Sequence, residues 1–408
     1  MTRKGLVAAA ALLALIRVAP LAAQGTADGA PDPSKVRVHI GPLWMNPTVA
    51  LMNLGVDQNV FNEPTDQNPK KDFTLTIVPN MDLWLSMGRT WVTGGIKAEI
   101  VWYQKYSTER AANRTYSIGW NVPLNRLKVK VDARHLGARE RPGFEIDARA
   151  QRDETAYSGS VEIRALSKTF FGVTGSRQRV DFDKDAVFLD STLQYELNHV
   201  TTSASVLVRH QVTPLTSITL NATRSQDRFE FSSLRDSNST AISGTISFDP
   251  FALIKGSATF GYRDFDPLSP GVAAYKGSTA AVDVSYTLLG TTRFAATATR
   301  DLQYSYDINQ PYYLQTGFGG SIAQQLAGSL DIVGRAGAQT LAYRDRAGAL
   351  VQVSNRTDHV HTYGGGIGYR FGQDLRLGFN VDKAMRLSDV AERQYHNLLF
   401  GTSVTYVF

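Results

Sequence analysis

Apolar and polar residues alternate along most of this chain with a period of two. Between positions 126 and 135, Leu127, Val129 and Val131 alternate with lysine, arginine and aspartate, and the segments 144–151 and 375–382 repeat the pattern. Because successive side chains of a β-strand point to opposite faces, each segment predicts a strand with one apolar and one polar face.

Two kinds of connection separate the predicted strands. Short turns rich in proline and glycine are predicted at 121–125, 212–216, 248–251, 289–292, 326–328 and 371–374. Longer polar stretches alternate with them, at 57–71, 229–238, 264–276, 301–311, 344–357 and 386–394. Short turns at one end and long loops at the other are typical of an outer-membrane barrel, with periplasmic turns and extracellular loops.

A soluble sandwich would show the same alternation, so the number of strands is what distinguishes a barrel from it. About 18 strand segments follow one another over roughly 360 residues, a series that fits one closed barrel without a free sheet edge. The count depends on 140–200, where 152–154 could be a turn and 193–198 a strand or a loop helix. Counts of 16 and 20 therefore stay open beside 18. The predicted fold is all-β: a transmembrane, antiparallel, up-and-down β-barrel.

The last strand ends on an aromatic residue. Val404, Tyr406 and Phe408 share its apolar face, and Gly401 is the eighth residue from the end. This pattern resembles the C-terminal insertion signal of bacterial outer-membrane barrels, although Leu399 stands where that signal usually has a polar residue. We therefore predict an assembly signal formed by Gly401, Val404, Tyr406 and Phe408. The expected partners are outer-membrane lipid, the barrel-assembly machinery and periplasmic chaperones.

The first residues have the order of a secretory signal peptide. Arg3 and Lys4 precede an apolar run over 6–16, and small residues precede a predicted cut after Ala23. The run is too short to cross a bilayer as a helix. The predicted domains are a signal peptide over 1–23, a periplasmic segment over 24–47 and an outer-membrane barrel over 48–408.

Composition narrows the class of protein further. The chain has no cysteine, which excludes a disulfide-stapled secreted domain and a thiolate metal site. Its net charge is +6, and without Arg3, Lys4 and Arg17 the 43 basic residues become 40, against 37 acidic ones. So balanced a charge does not favour nucleic acid as a partner.

We predict no enzyme, because no catalytic arrangement stands out. His359 and His361 share a strand face, but no third metal ligand follows from the spacing. The chain has no Gly-x-Ser-x-Gly elbow and no phosphate-binding P-loop. We therefore expect no catalytic residue, no cofactor and no metal.

The charged residues on the polar strand faces are the remaining functional candidates. If the apolar faces meet lipid, the charged faces line the lumen and set the ion preference of a pore. Alternatively, they pair across strands and hold a water-filled wall together. The pore-lining candidates are Lys128, Lys130, Asp132, Arg134, Glu145, Asp147, Arg149, Arg209, Lys255, Arg263, Arg293, Arg376 and Asp382.

Several short stretches resemble a known family. They are 55–61, 78–79, 213–217, Phe265 and 300–306. The chain resembles the beta-barrel porins related to outer-membrane proteins of exopolysaccharide operons. The resemblance implies a barrel in the bacterial outer membrane, with polysaccharide or small polar solutes as partners and no catalytic residues. Two functions follow as expectations: a porin-like channel for small polar solutes, or a component of exopolysaccharide export or surface architecture that serves as conduit or docking barrel.

Overall fold

The structure, a computed structural model, describes residues 30–31, 36–249, 252–326, 328–372 and 374–407. The predicted signal peptide and Phe408 lie outside the described residues. Eighteen long strands form the body of the molecule, and their bounds follow. They are β2 (Leu43–Asp57), β3 (Asp72–Met87), β4 (Thr90–Tyr103), β5 (Ala111–Pro123), β6 (Leu127–Glu140), β7 (Ala150–Arg164), β8 (Thr169–Phe182), β11 (His199–Thr213), β12 (Thr216–Phe229), β13 (Ser237–Phe248), β14 (Ile254–Pro267), β15 (Tyr275–Leu288), β16 (Thr292–Tyr304), β17 (Tyr312–Leu326), β18 (Leu330–Arg344), β19 (Thr357–Phe371), β20 (Leu375–Ser388) and β21 (Tyr395–Val407).

Shorter elements complete the fold. A three-residue strand β1 (Val38–Ile40) pairs with the start of β2, and a small hairpin joins β9 (Val187–Phe188) to β10 (Ser191–Thr192). The helix α1 (Leu193–Leu197) follows this hairpin, and four 3-10 turns lie in other loops, at Thr65–Gln67, Ser107–Glu109, Ser233–Arg235 and Ala391–Arg393. Among the described helices, none is long and apolar enough to cross a membrane.

The long strands close into a barrel. Each pairs antiparallel with its neighbours in sequence order, and the last strand pairs with the first, Val407 lying opposite Thr48. The seam contains a bulge at Asn53, whose φ of 53° is left-handed. Gly55 must be glycine there, because a Cβ would come within 1.9 Å of the Phe400 carbonyl oxygen. The predicted up-and-down barrel of 18 strands is confirmed.

The alternation divides the wall into two faces. Val131, Phe171 and Leu220 point outward and are about half exposed or more, as apolar residues on a lipid-facing surface would be. Their sequence neighbours Phe170 and Lys130 point into the lumen, where Phe170 is buried and Lys130 pairs with an aspartate. The hydrophobic surface of this protein therefore lies on the outside of the barrel.

The connections show the predicted asymmetry. Eight short turns join the strands at one end, and nine longer loops join them at the other. All twelve predicted turns and loops fall between the strands in a connection of the matching kind, although residues 250, 251, 327 and 373 of three short turns lie outside the described residues. Three long loops were missed by the pattern, at 104–110, 141–149 and 183–198.

The strand predicted over 144–151 is wrong, because β7 begins at Ala150 and 141–149 form a loop. Pro142 lacks a backbone donor, and Gly143 has a φ of 153°, so the chain leaves the sheet there. In the same region, 152–154 lie inside β7 rather than in a turn, and 193–197 form α1. The first barrel strand begins at Leu43, ahead of the predicted boundary at residue 48.

Candidate functional site

One long loop crosses the inside of the barrel. We call residues 141–149, between β6 and β7, the crossing loop. Counted from β2, β6 is fifth and β17 fourteenth in the ring of 18 strands, so the two lie on opposite walls. Phe144 of the crossing loop nevertheless packs in one buried cluster with Tyr313 of β17, Tyr343 of β18 and Val360 of β19. The loop therefore spans the lumen from wall to wall.

Arg386 of β20 attaches the crossing loop to that opposite wall. Its Nη1 donates hydrogen bonds to the carbonyl oxygens of Phe144, at 3.0 Å, and Glu145, at 3.1 Å. The same nitrogen lies 3.0 Å from Oδ2 of Asp147, and Nη2 donates to the Asp358 carboxylate. Arg386 is completely buried. Charge-assisted bonds of this kind are stronger than neutral ones, so this side chain is the principal anchor of the loop.

A second arginine, Arg393, reaches the same loop from the connection between β20 and β21. Its Nη2 donates to the Glu145 carbonyl oxygen and lies 3.2 Å from Oδ2 of Asp147. Its guanidinium lies 4.8 Å from the ring centre of Phe188, which belongs to β9. The anchor therefore joins three loops, the crossing loop, the 183–198 loop and the 389–394 loop, at one place in the lumen.

The Glu145 carboxyl group is buried at the centre of this contact. Oε1 accepts a hydrogen bond of 2.6 Å from the Ser305 hydroxyl, and Oε2 accepts one from the Tyr306 backbone N–H. Burial raises the pKa of Glu145 above its ordinary value of 4.5, and the Ser305 hydrogen bond and nearby arginines only partly offset it. The protonation of this group is therefore coupled to the docking of the loop.

Apolar packing holds the other half of the crossing loop. Ile146 lies in a buried cluster with Phe182 of β8, Leu193 of α1 and Tyr306. These residues come from the wall and from two further loops, so side chains fill this part of the interior. Removing one of them would leave a cavity and weaken the contact between the loops.

A cavity of about 610 Å³ lies on the loop side of the barrel, against the crossing loop. Three arginines and four carboxylates line it together with apolar side chains such as Phe61 and Val187. The charged lining consists of Arg139, Arg141, Arg149, Glu109, Asp147, Asp183 and Asp185. We call this cavity the vestibule, because it borders the crossing loop where the barrel opens between its long loops. Its size is that of a site for a small molecule.

The arginines of the vestibule are held in place by the protein. Arg149 donates from Nη2 to the Tyr103 hydroxyl at 2.6 Å, and its Nε lies 3.5 Å from Oε2 of Glu109. Arg141 donates to the backbone oxygens of Asp147 and Val60, at 2.6 and 2.7 Å. The predicted candidates Glu145, Asp147 and Arg149 thus all lie in the crossing loop and not on a strand.

Most other candidates form ion pairs along the inner wall. The pairs are Lys130–Asp132 at 3.2 Å, Arg209–Glu162 at 2.8 Å, Arg263–Asp301 at 2.7 Å, Arg376–Asp331 at 2.9 Å and Arg335–Asp382 at 2.8 Å. Four of these pairs join different strands, as the alternative of pairing across strands expects, whereas Lys130 and Asp132 lie on the same strand. Whether they also face permeating solute stays a prediction.

The remaining candidates have other neighbours. Lys128 and Arg209 both lie over the ring of Phe170, at 5.8 and 4.1 Å, near the short-turn end. Arg293 donates to the Ser285 hydroxyl at 3.3 Å. The other two candidates on strands are Arg134, which is partly buried on β6, and Lys255, which is exposed on β14.

The predicted assembly residues lie on β21 at the seam. Gly401 is buried opposite Gly55, whereas Tyr406 is exposed on the outward face and pairs with Val49. Val404 lies on the same outward face, opposite Leu51. Their role in assembly stays a prediction, as Phe408 is outside the described residues.

The sequence analysis missed the anchor of the crossing loop. Arg386 and Arg393 lie in or beside a predicted polar loop, and Asp358 was considered only as a neighbour of two histidines. In the structure Asp358 points inward, whereas His359 points outward and contacts Thr340. Within the described residues, no group of three histidines or carboxylates is placed to hold a metal ion.

A closed barrel with short turns, long loops and a loop folded into the lumen has the architecture of a porin-like barrel of the outer membrane. The family model described as "Putative beta-barrel porin 2" matches residues 36–408, and the chain belongs to that family. Family and fold indicate a channel rather than an enzyme.

Solved structures similar to this chain include a porin and an outer membrane protein. A BenF-like porin from Pseudomonas fluorescens Pf-5 is 12% identical over 90% of this chain and 99% of its own, with a TM-score of 0.49. The outer membrane protein OpdK from Pseudomonas aeruginosa is 9% identical over 89% and 98%, with a TM-score of 0.46. No curated protein matches the sequence.

Proposed function

We propose that this barrel is a channel of the bacterial outer membrane for small polar solutes, narrowed by the crossing loop. The observation that carries the proposal is the contact of the loop with the opposite wall through Arg386 and Phe144. A barrel of 18 strands is wide enough for an aqueous passage. A loop held across it by buried hydrogen bonds reduces that passage to a selective width.

The charges that line the lumen favour small polar solutes, and do not favour ions of only one sign. Acidic and basic side chains alternate on the inner wall, and the vestibule carries three arginines and four carboxylates. The fields of neighbouring opposite charges partly cancel. In 0.1 M salt, what remains is largely screened beyond a Debye length of about 10 Å. The channel therefore conducts both cations and anions, with only a weak preference for one sign of charge. It also admits small neutral polar solutes.

Conductance in planar bilayers tests the proposal. The purified barrel should give single-channel steps, and liposomes that contain it should swell in isotonic solutions of small sugars and amino acids. Replacing the crossing loop by a short Gly-Ser linker should raise the conductance. The control is the same replacement of the loop 268–274, which packs against Phe265 and Tyr312. This replacement should not raise the conductance.

A wild-type barrel that folds and never conducts would contradict the proposal. It would favour the alternative expected from the resemblance, a docking barrel for exopolysaccharide export. Cell fractionation tests the location separately: the protein should be recovered with outer membranes, and recovery as a soluble periplasmic protein would contradict it.

A further inference from the structure

Several arginines lie on the outward faces of the barrel strands, and two of them are close together. Arg177 on β8 and Arg224 on β12 are both exposed. By alternation, Arg177 shares the outward face of β8 with Val173, and Arg224 shares that of β12 with Leu220. Val173 and Leu220 are 55% and 60% exposed, which identifies this face as the lipid-facing one.

Both arginines lie at the same height in the wall. Arg177 comes eight residues after Thr169, where β8 begins, and Arg224 comes eight residues after Thr216, where β12 begins. With about 3.3 Å per residue and a strand tilt of about 40°, both lie roughly 20 Å above the short-turn end. The outward apolar band of such barrels is about 25 Å tall. The pair therefore lies close to its upper boundary, on the side of the long loops.

The two side chains are also close to each other around the wall. On the intervening strand β11, Arg177 is opposite Thr202 and Arg224 is opposite Ala204. One intervening strand and a two-residue offset separate their Cα atoms by about 12 Å. Two arginine side chains of ordinary length can reach groups a few ångströms apart from such positions.

Within the part of the chain that the structure describes, no carboxylate forms an ion pair with Arg177 or Arg224. The neighbouring Arg179 differs, because its Nε lies 2.7 Å from Asp181 and its Nη2 lies 3.2 Å from Glu230. Lys276, on the outward face of β15, likewise pairs with Asp264 at 2.8 Å. Exposed guanidinium groups without a carboxylate partner, beside a lipid surface, are available to bind an anion from outside the protein.

We propose that Arg177 and Arg224 form a binding site for the phosphate groups of an anionic lipid in the outer leaflet. Guanidinium binds phosphate through paired N–H donors, and a single headgroup with two phosphates can engage both arginines. Tyr157, which is opposite Arg177 on β7 and 57% exposed, supplies the aromatic residue typical of a membrane interface. The outward hydroxyls of Thr202 and Thr240 provide further donors beside the pair.

The surface below the arginines identifies the source of the phosphate as a lipid. Beneath them the wall presents Phe171, Val173 and Leu220, on which acyl chains of the same molecule would lie. A free phosphate ion would gain nothing from that apolar surface. The lipid site lies on the outside of the barrel and is independent of conduction through the lumen.

Native mass spectrometry of the detergent-purified full-length barrel tests the site. The probe is a diphosphorylated glycolipid, titrated onto wild type and onto the double variant Arg177→Gln/Arg224→Gln. The matched control is Arg179→Gln/Lys276→Gln, which removes two cations from the same outward rim that already have carboxylate partners. Each basic group near an anionic surface contributes about 1 kcal/mol, so the test variant should bind about 30-fold more weakly. The control should change less than about threefold.

Two further measurements distinguish a phosphorylated lipid from other ligands. The dephosphorylated form of the same glycolipid should bind wild type as weakly as the phosphorylated form binds the test variant. Inorganic phosphate at millimolar concentration should not displace the lipid. Equal binding by wild type and the test variant, or by both forms of the lipid, would overturn the proposal. Displacement by inorganic phosphate would overturn it in favour of a free-anion site. Heat-modifiable migration on gels shows whether each variant has folded. If the double variant does not fold, the two single variants provide a second measurement.

Discussion

Replacing Arg386 by methionine should release the crossing loop and leave the barrel intact. Methionine keeps much of the length of the side chain but removes every donor. The two carbonyl bonds to Phe144 and Glu145 and the ion pair with Asp147 would all be lost. The barrel itself is held by eighteen strand pairings, none of which uses this side chain.

The free-energy cost to loop docking follows from the burial of Arg386. Arg386 has no exposed surface, and its loss leaves the buried Asp358 carboxylate and the partly buried Asp147 carboxylate without this partner. Removing one member of a buried ion pair typically costs about 3–5 kcal/mol. Since about 1.4 kcal/mol corresponds to a factor of ten, the undocked state of the loop should gain population by about 10² to 10³·⁵. A loop that is docked almost always would then be undocked for a measurable fraction of the time.

Single-channel recording detects this change as added conductance levels and noise. We expect Arg386→Met to show frequent steps to a larger conductance, while heat-modifiable migration on gels stays as in wild type. The control is Arg335→Met, which removes an inward arginine from the wall that pairs with Asp382 and does not contact the crossing loop. Identical conductance and noise in Arg386→Met and wild type would refute the reasoning that this arginine holds the loop across the pore.

Three further predictions address charge, pH and assembly. Changing Lys128, Lys130 and Arg134 together to Gln should shift the reversal potential toward cations and leave folding intact. No shift would place these residues outside the conducting path. Because burial raises the pKa of Glu145, the docked loop favours its protonated form, so docking should weaken as pH rises from 4.5 through that pKa. Openings should then become more frequent, and Glu145→Gln should remove the pH dependence; a variant that retained it would contradict this. Tyr406→Ser should lower the amount of assembled barrel in outer membranes, because it places a polar group on the lipid-facing wall; unchanged levels would contradict this.

The barrel could be predicted from the sequence because its signal is local. Leu127, Val129 and Val131 alternate with charges in a single strand, and the apolar face of each strand meets lipid whatever the other strands do. The same rule failed at 144–151, where Phe144 and Ile146 also alternate with charged residues. These side chains are buried in the lumen against other loops, and period two alone does not distinguish that environment from lipid. The proline and glycine at 142–143 mark the end of β6 but do not distinguish a loop from a strand in the residues that follow.

The anchor of the crossing loop could not be predicted in the same way. Arg386 and Asp147 are 239 residues apart, and only closure of the barrel brings them together. Lys130 and Asp132 are different, because they are two apart on one strand and alternation alone places them on one face. Candidates drawn from single strands therefore included both members of the Lys130–Asp132 pair and one member of each other wall pair, and omitted Arg386, Arg393 and the position of Asp358.

Cross-linking of the crossing loop to the far wall tests the central claim most directly. The chain has no native cysteine, so cysteines can be introduced as the only thiols. Phe144→Cys combined with Val360→Cys should react with a short bifunctional thiol reagent in intact outer membranes, and the linked barrel should conduct with fewer openings than wild type. Phe144→Cys with His359→Cys, one residue away on the outward face of the same strand, should not cross-link. Cross-linking of neither pair, or a linked barrel with unchanged openings, would contradict a channel narrowed by a loop that spans its lumen.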